Sequence, residues 1–196
     1  MEKTEILKEE LNYIKNERIK SSAEVLINLI PDYFFKVPAS SSGKYHPSFS
    51  QNEGGLLRHT KVATAIGNEI LSLEYTNNLF TEDEKDILLL GIILHDSQKL
   101  GNPQGKHTRF DHPLIAATFI EENKDKTELT EAEIDLLKRV ISSHMGEWNS
   151  SKYSNVELPK PNDKYEFFVH VCDYLSSKKF LEVNFDDENN IVRVRK

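Results

Sequence analysis

The chain has little cysteine, no long apolar run and no apolar N-terminus, and each shortage excludes a class of protein. The single cysteine, Cys172, leaves no internal disulfide and no zinc site built from several thiolates. The longest apolar run, 87–94, is interrupted by Gly91 and is far shorter than the roughly 20 residues that span a bilayer. The N-terminus lacks a signal core, so we expect a cytoplasmic protein with no membrane partner.

Positive charge is also in short supply. Lys and Arg number 25 against 32 for Asp and Glu, a net charge of -7. An acidic chain lacks the field that follows the phosphates of a duplex, so we expect no long duplex nucleic acid as a partner and favour a small anionic substrate. A bound cation would weaken this inference because it supplies its own field. The sequence does not indicate the oligomeric state.

The length and the hydrophobic content predict one domain. A chain of 196 residues with 38% hydrophobic content suffices for one well-buried core and is short for two. Within the single domain, 1–196, we expect a core of about 35–180, an N-terminal helical extension, 1–34, and a C-terminal tail, 181–196. The tail alternates apolar and polar residues around an acidic segment, which predicts a small hairpin.

Apolar positions at helical spacing predict an all-α fold. Residues 4–30 carry such a pattern as far as Pro31, which predicts one helix. Two capping boxes begin further helices, at Thr81 with Glu84 and at Thr130 with Glu133. Asp111 is the expected N-cap of a helix that opens with His112, and Asp163 precedes the last helix.

His95 and Asp96 stand side by side at the end of the apolar run, and Lys99 follows them. An imidazole and a carboxylate are costly to place beside a core unless a partner balances the charge, and a bound cation would do so. For an isolated His-Asp pair, an ordinary helix end that faces water is the favoured interpretation. Evidence for a metal must therefore come from other residues.

Four other residues are expected on inward-facing helical positions. His59 opens a helix and shares its apolar face, His112 begins the next candidate, and His144 lies on the apolar face near the end of another. Asp173 falls on the buried side of the last helix, where an unpaired carboxylate is destabilising. Each histidine alone also fits a hydrogen-bonded core residue. Together they predict one shared site, and the lack of thiolates favours harder first-row ions.

This order of residues resembles the HD-domain superfamily of metal-dependent phosphohydrolases. The family motif is a histidine, a His-Asp pair and a distal aspartate, matched here by His59, His95, Asp96 and Asp173. Members with two metals add two histidines, matched here by His112 and His144. The resemblance covers roughly 35–180 and implies an HD-domain helical bundle that holds one or two divalent ions, of Mn, Fe, Mg, Ni or Co.

The same resemblance implies a role for each residue. One ion would take His59, His95, Asp96 and Asp173, and the other would take Asp96, His112 and His144. Asp96 and Lys99 would act in catalysis, with the Lys99 ammonium on a phosphate oxygen. The candidates for substrate binding, each of which also fits a solvated loop, are His46, Lys106, His107 and Arg109. We interpret Trp148 and His170 as structural.

A narrower resemblance is to the HD domain of bacterial 3′-to-5′ exoribonucleases. It rests on Lys-Tyr-His-Pro at 44–47 and on Gly-Gly-Leu-Leu-Arg-His-Thr at 54–60. Those enzymes carry a separate OB domain, for which this chain is too short and too helical at its N-terminus, and this argues against long RNA substrates. They also have a second histidine where this chain has Met145.

The implied function is hydrolysis of a phosphoester, with a phosphodiester favoured, in a nucleotide or short oligonucleotide through a metal-bound hydroxide. Two alternatives stay open. A compact, acidic domain also suits a nucleoside monophosphate phosphatase. A non-catalytic HD module could bind a nucleotide as a sensor, although the intact set of ligands and Lys99 speak against it.

Overall fold

The computed structural model describes residues 2–41 and 46–193. Over these ranges the fold is all-α, as predicted, and it contains these helices: α1 (Lys3–Ile6), α2 (Lys8–Leu11), α3 (Glu17–Leu29), α4 (Gly55–Leu71), α5 (Glu82–Leu94), α6 (His112–Asn123), α7 (Glu131–Ser142) and α8 (Lys164–Ser176). Short 3₁₀ turns cover Asp32–Phe35, Ser48–Ser50, Glu74–Asn78 and Lys124–Lys126. Among the described helices, none has the length and apolar character that crossing a bilayer requires.

Helix α5 lies at the centre of the bundle. From Lys85 to Leu94 every one of its residues is buried, as expected for a helix that is apolar on all sides. Helices α4, α7 and α8 pack around it, and α6 and α7 pack against each other. At Gly91 an added Cβ would lie 2.8 Å from a methyl of Val140, so this glycine permits the close approach of α5 and α7.

The helix starts follow the capping chemistry at three of four predicted positions. Thr81 and Thr130 each close a full capping box at the start of α5 and α7, and Asp163 accepts two backbone N–H bonds at the start of α8. Asp111 precedes α6 but does not cap it with its side chain. Its carboxylate instead binds the guanidinium of Arg109, at 2.6 and 2.8 Å.

The prediction of one helix over 4–30 was wrong. Helix α2 ends at Leu11 and α3 begins at Glu17. The Asp86 carboxylate of α5 accepts the backbone N–H groups of Lys15, at 3.1 Å, and Asn16, at 2.8 Å, and these bonds replace helical ones. Asn16 then caps α3 through its own side chain. The end predicted at Pro31 is confirmed, since α3 stops at Leu29.

The predicted tail hairpin is reduced to a single antiparallel bridge between Phe185 and Ile191 in the described part of the tail. The turn between them has Asn189 at φ 62°, and its Oδ1 accepts a hydrogen bond from Arg58. Residues 194–196 lie outside the described residues, as do Lys44 and Tyr45 of the motif quoted above.

Candidate metal centre

The six residues predicted as metal ligands come together where the ends of several helices meet. His95 is the C-cap of α5, Asp96 follows it in a turn, and His112 is the first residue of α6. Two positions differ slightly from the prediction. Helix α4 begins four residues before His59, which therefore lies in its second turn, and His144 lies just beyond the end of α7.

One side of the cluster surrounds a carboxylate oxygen of Asp173. The Nε2 atom of His59 lies 3.0 Å from Asp173 Oδ1, and the Nε2 atom of His95 lies 3.5 Å from it. Asp96 turns its Oδ2 atom to this side, 3.5 Å from His95 Nε2 and 3.9 Å from His59 Nε2. Helices α4 and α8 thus meet the end of α5 through their polar side chains.

The other side surrounds the second oxygen of Asp96. His112 Nε2 lies 2.9 Å from Asp96 Oδ1, and His144 Nε2 lies 3.6 Å from it. The two histidine Nε2 atoms are 3.2 Å apart. Asp96 therefore presents one oxygen to each half of the cluster, which is the geometry that a bridging carboxylate requires.

Hydrogen bonds to the protein fix the orientation of all four imidazoles. Three rings place Nδ1 at 2.6 to 2.7 Å from a backbone carbonyl oxygen, which only accepts, so Nδ1 carries the proton in His95, His112 and His144. His59 Nδ1 lies 3.1 Å from the Ser176 hydroxyl, which donates to the Asp173 carbonyl. In the neutral rings every Nε2 atom is thus a lone-pair donor aimed into the cluster.

Both aspartates are ionised at neutral pH. Burial opposes this, but Lys99 and the surrounding histidines hold the pKa of Asp96 well below its usual range. His59 and His95 do the same for the pKa of Asp173. The Lys99 Nζ atom lies 2.8 and 2.7 Å from the two oxygens of Asp96, so this ammonium balances part of the buried charge.

The donor set fits a divalent cation. Within the described residues the buried Nε2 atoms of His59 and His95 have no hydrogen-bond partner, although carboxylate oxygens lie beside them. Facing acceptors repel each other unless a proton or a cation lies between them. Donor atoms within 4.8 Å of one another form two sets, His59 with His95 and Asp173, and His95 with Asp96 and His144. Nitrogen and oxygen ligands of this kind suit first-row divalent metals.

The four candidates for substrate binding lie at different distances from the cluster. The His46 ring contacts the His59 ring, with 5.4 Å between centroids, whereas Lys106 and His107 are exposed on their loop. The Arg109 side chain is exposed and paired with Asp111, but its carbonyl oxygen orients His112. Their role in binding stays a prediction.

The cluster histidine His112 and the neighbouring His46 are both neutral at neutral pH. Burial, together with the charge of Lys99, lowers the pKa of His112 to about 4. Burial and the neighbouring His59 lower the pKa of His46 to about 4. At His95, by contrast, burial acts to lower the pKa, but the nearby carboxylates of Asp96 and Asp173 outweigh it and raise the pKa. A neutral imidazole is the form that binds a metal.

Sequence reasoning assigned no role to the groups that hold the cluster in place, Ser176 and Tyr33. Ser176 lies on the buried side of α8 three residues after Asp173, a helical spacing that signals a shared face. The Tyr33 hydroxyl accepts the backbone N–H of Leu100 and donates to the Gly101 carbonyl, so it supports the turn that carries Lys99. No pattern near Tyr33 indicated this long-range contact.

Comparisons of the sequence with known proteins identify the family of the chain. The 3′-5′ exoribonuclease YhaM of Bacillus velezensis is 25% identical over 181 residues, which cover 85% of this chain and 55% of the relative. The chain thus spans about half the length of that relative. No solved structure matches the chain. The family model of the HD domain matches residues 56–178, the segment that contains all six clustered side chains, and the protein is therefore a member of the HD domain family.

Proposed function

We propose that this protein is a metal-dependent phosphohydrolase that cleaves a phosphodiester in a nucleotide or short oligonucleotide. Family membership and the exoribonuclease relative support a phosphohydrolase in general. The observation that carries the proposal is the position of Asp96, whose oxygens lie 2.9 Å from His112 Nε2 on one side and 3.5 Å from His95 Nε2 on the other. A purely structural cluster has no need for a carboxylate between two sets of lone pairs.

In this proposal His59, His95, Asp96 and Asp173 hold one ion, and Asp96, His112 and His144 hold the other. Bound divalent ions would lower the pKa of a coordinated water and neutralise charge that develops on phosphoryl oxygens. Mn, Fe, Mg, Ni and Co are the candidates, because the ligands are imidazoles and carboxylates.

The remaining residues position the substrate. Lys99 has a side chain that is 11% exposed, and its ammonium is placed to exchange one contact with Asp96 for a phosphoryl oxygen. His46 is neutral at neutral pH, and its buried Nδ1 lacks a hydrogen-bond partner in the part of the chain that is described. It is therefore available to hydrogen-bond the leaving oxygen. Lys106, His107 and Arg109 would act at longer range, from the exposed loop.

Purified protein with Mn²⁺, Fe²⁺ or Mg²⁺ tests the proposal against linear and cyclic dinucleotides, short RNA and nucleoside monophosphates. We expect turnover of the diesters, and loss of both turnover and bound metal in Asp96→Ala. Asp135→Asn, at a position with a 73% exposed carboxylate on α7, is the matched control and should behave as wild type. Hydrolysis of diesters at the wild-type rate by Asp96→Ala would refute the assignment.

The same assay separates the alternatives. Turnover of monophosphates alone would make the protein a nucleotide phosphatase, and retained metal without turnover of any substrate would make it a sensor. The acidic net charge of -7 favours short substrates over long duplexes. We also propose that the protein is located in the cytoplasm. We propose that it is a single domain with an N-terminal extension and a C-terminal tail.

A further inference from the structure

An exposed aromatic pair is formed by residues that closely follow two candidate metal ligands, His144 and Asp173, along the chain. The rings of Trp148 and Tyr174 are stacked, with 5.5 Å between centroids and 19° between planes. Trp148 is 53% exposed and Tyr174 is 37% exposed, so neither belongs to the hydrophobic core. Exposed, parallel aromatic rings are the surface on which nucleobases stack.

Backbone and imidazole contacts fix this pair relative to the metal centre. His170, one turn before Tyr174 on α8, donates from Nδ1 to the carbonyl oxygen of His144 at 2.7 Å. Its ring lies over Gly146, where φ is 58° and an added Cβ would lie 2.1 Å from the imidazole. The segment from the candidate ligand His144 to Trp148 is therefore held against α8.

Hydrogen bonds of Trp148 and of the next residue, Asn149, hold the backbone at this position. The Trp148 backbone N–H donates to the Met145 carbonyl at 3.1 Å. The next residue, Asn149, is 6% exposed and donates from its side chain to the Leu158 carbonyl. A loop residue whose backbone is held in this way loses little backbone entropy when its side chain binds a partner.

Charge at the pair suits a phosphorylated ligand. The Lys178 Nζ atom lies 3.1 Å from the centre of the Tyr174 ring. Tyr174 directly follows Asp173, the candidate ligand on α8. Lys178 and Trp148 both lie against the Tyr174 ring, so the open ring surface is that of Trp148. A nucleotide whose base stacks on Trp148 would thus have a cation nearby for a phosphate.

We propose that Trp148, supported from behind by Tyr174, forms a base-stacking platform that binds the nucleobase next to the scissile phosphate of a single-stranded substrate. This inference rests on the proposed function, whose substrate class it narrows to nucleotides and oligonucleotides with an unpaired base. Stacking is tolerant of base identity, because every base has a ring face. The platform would therefore select for the presence of a base rather than for its sequence.

Trp148 is the single tryptophan of the chain, so its fluorescence reports the platform directly. Two probes are titrated: a dinucleotide with an uncleavable methylphosphonate link, and the same compound with both bases replaced by hydrogen. We expect the first to quench Trp148 fluorescence, and the second to bind about tenfold or more weakly without quenching. Equal affinity for the two probes would overturn the proposal.

Variants assign the binding to the pair. Trp148→Leu and Tyr174→Leu, followed by calorimetry, should weaken binding of the base-bearing probe about tenfold or more and leave the abasic probe unchanged. Tyr153→Leu is the matched control, because Tyr153 is an aromatic of the same loop that is 86% exposed. Unchanged binding by Trp148→Leu would refute the platform. If wild type instead sediments as a dimer that Trp148→Arg dissociates, the patch is an interface between copies and the proposal is wrong.

The two proposals fail separately. Quenching by the base-bearing probe in a protein that hydrolyses no phosphoester would leave the platform in place and refute the enzyme. Hydrolysis of base-bearing and abasic dinucleotides with the same KM would leave the enzyme in place and refute the platform. Thermal melting of each variant shows that the surface substitutions preserve the fold.

Discussion

His112 and His144 aim their Nε2 lone pairs at each other across 3.2 Å. The Nδ1 proton of His112 is held by the Arg109 carbonyl and that of His144 by the Ile141 carbonyl, so neither neutral ring can turn a proton toward the other. Only a proton or a cation placed between them makes this arrangement favourable. Burial and Lys99 lower the pKa of His112 to about 4, so a second proton on this ring is unfavourable and the pair is suited to share a cation.

Replacement of His112 should separate one ion from two. We expect His112→Ala to bind one equivalent fewer of Mn²⁺ than wild type, because only Asp96 and His144 remain on that side of the cluster. Metal analysis after dialysis measures the stoichiometry. His107→Ala, a change in the exposed loop, should leave it at the wild-type value. An unchanged ion count in His112→Ala would mean that the second site is assigned to the wrong residues.

Ser176 should tune metal affinity without binding the metal. Ser176→Ala removes the hydroxyl that fixes the tautomer of His59, and we expect about 10- to 100-fold weaker Mn²⁺ binding. Ser177→Ala is the matched control, since the Ser177 hydroxyl donates only to the Tyr174 carbonyl and is exposed. A competition titration with a metal indicator measures both variants. Equal affinities would show that Ser176 does not orient His59.

Lys99 should act on turnover rather than on metal content. Lys99→Met removes the ammonium that lies within 2.8 Å of both oxygens of Asp96, and we expect kcat/KM for a dinucleotide to fall about 10²- to 10³-fold with metal retained. Lys126→Met, at an exposed lysine that bonds Asn123, should be neutral. Loss of metal in Lys99→Met would instead give this lysine a structural role.

Acid should weaken the contact between α3 and α7. Hydrogen bonds from Arg18, at 2.6 and 2.8 Å, lower the pKa of Glu133 to about 2 from its ordinary value of 4.5. A lowered pKa contributes stability that is complete above pH 4.5 and is lost as the pH falls toward 2. Glu133→Gln should therefore cost about 1–2 kcal/mol at pH 7, after allowance for solvent screening, and progressively less below pH 4.5.

Urea unfolding in chelator at several pH values measures this free energy. Glu131→Gln, in the same first turn of α7 but with a side chain that is 79% exposed, should change it little. A cost for Glu133→Gln that stays constant from pH 7 to pH 3 would contradict an ionic origin.

The sequence predicted those features that depend on local chemistry. Thr81 and Thr130 with their glutamates set the starts of α5 and α7 within four residues of chain, and the structure contains both capping boxes. The ligand candidates were predicted from inward-facing helical positions and from the order of residue types, and the fold brings all six together.

Features that depend on distant partners were missed. The prediction of a single N-terminal helix was wrong because Asp86, which lies 70 or more residues away, accepts hydrogen bonds from the backbone N–H groups of Lys15 and Asn16. The prediction that the Asp111 side chain caps α6 was wrong because its carboxylate binds Arg109 instead of the backbone N–H groups of the helix. The stacking of Trp148 on Tyr174 was not predicted, because nothing in the sequence places the two rings together, and the interpretation of Trp148 as structural stays a prediction.

The hydrogen bond between Ser176 and His59 joins residues 117 positions apart. Closure of so long a loop costs conformational entropy, and the same closure brings Asp173 to the cluster because both residues lie on α8. A growing or refolding chain therefore cannot complete the ligand set until α8 has docked on α4. During refolding, uptake of the ion that His59 and Asp173 would share should therefore follow the docking of α8 on α4, and this ion should stabilise that contact rather than nucleate it.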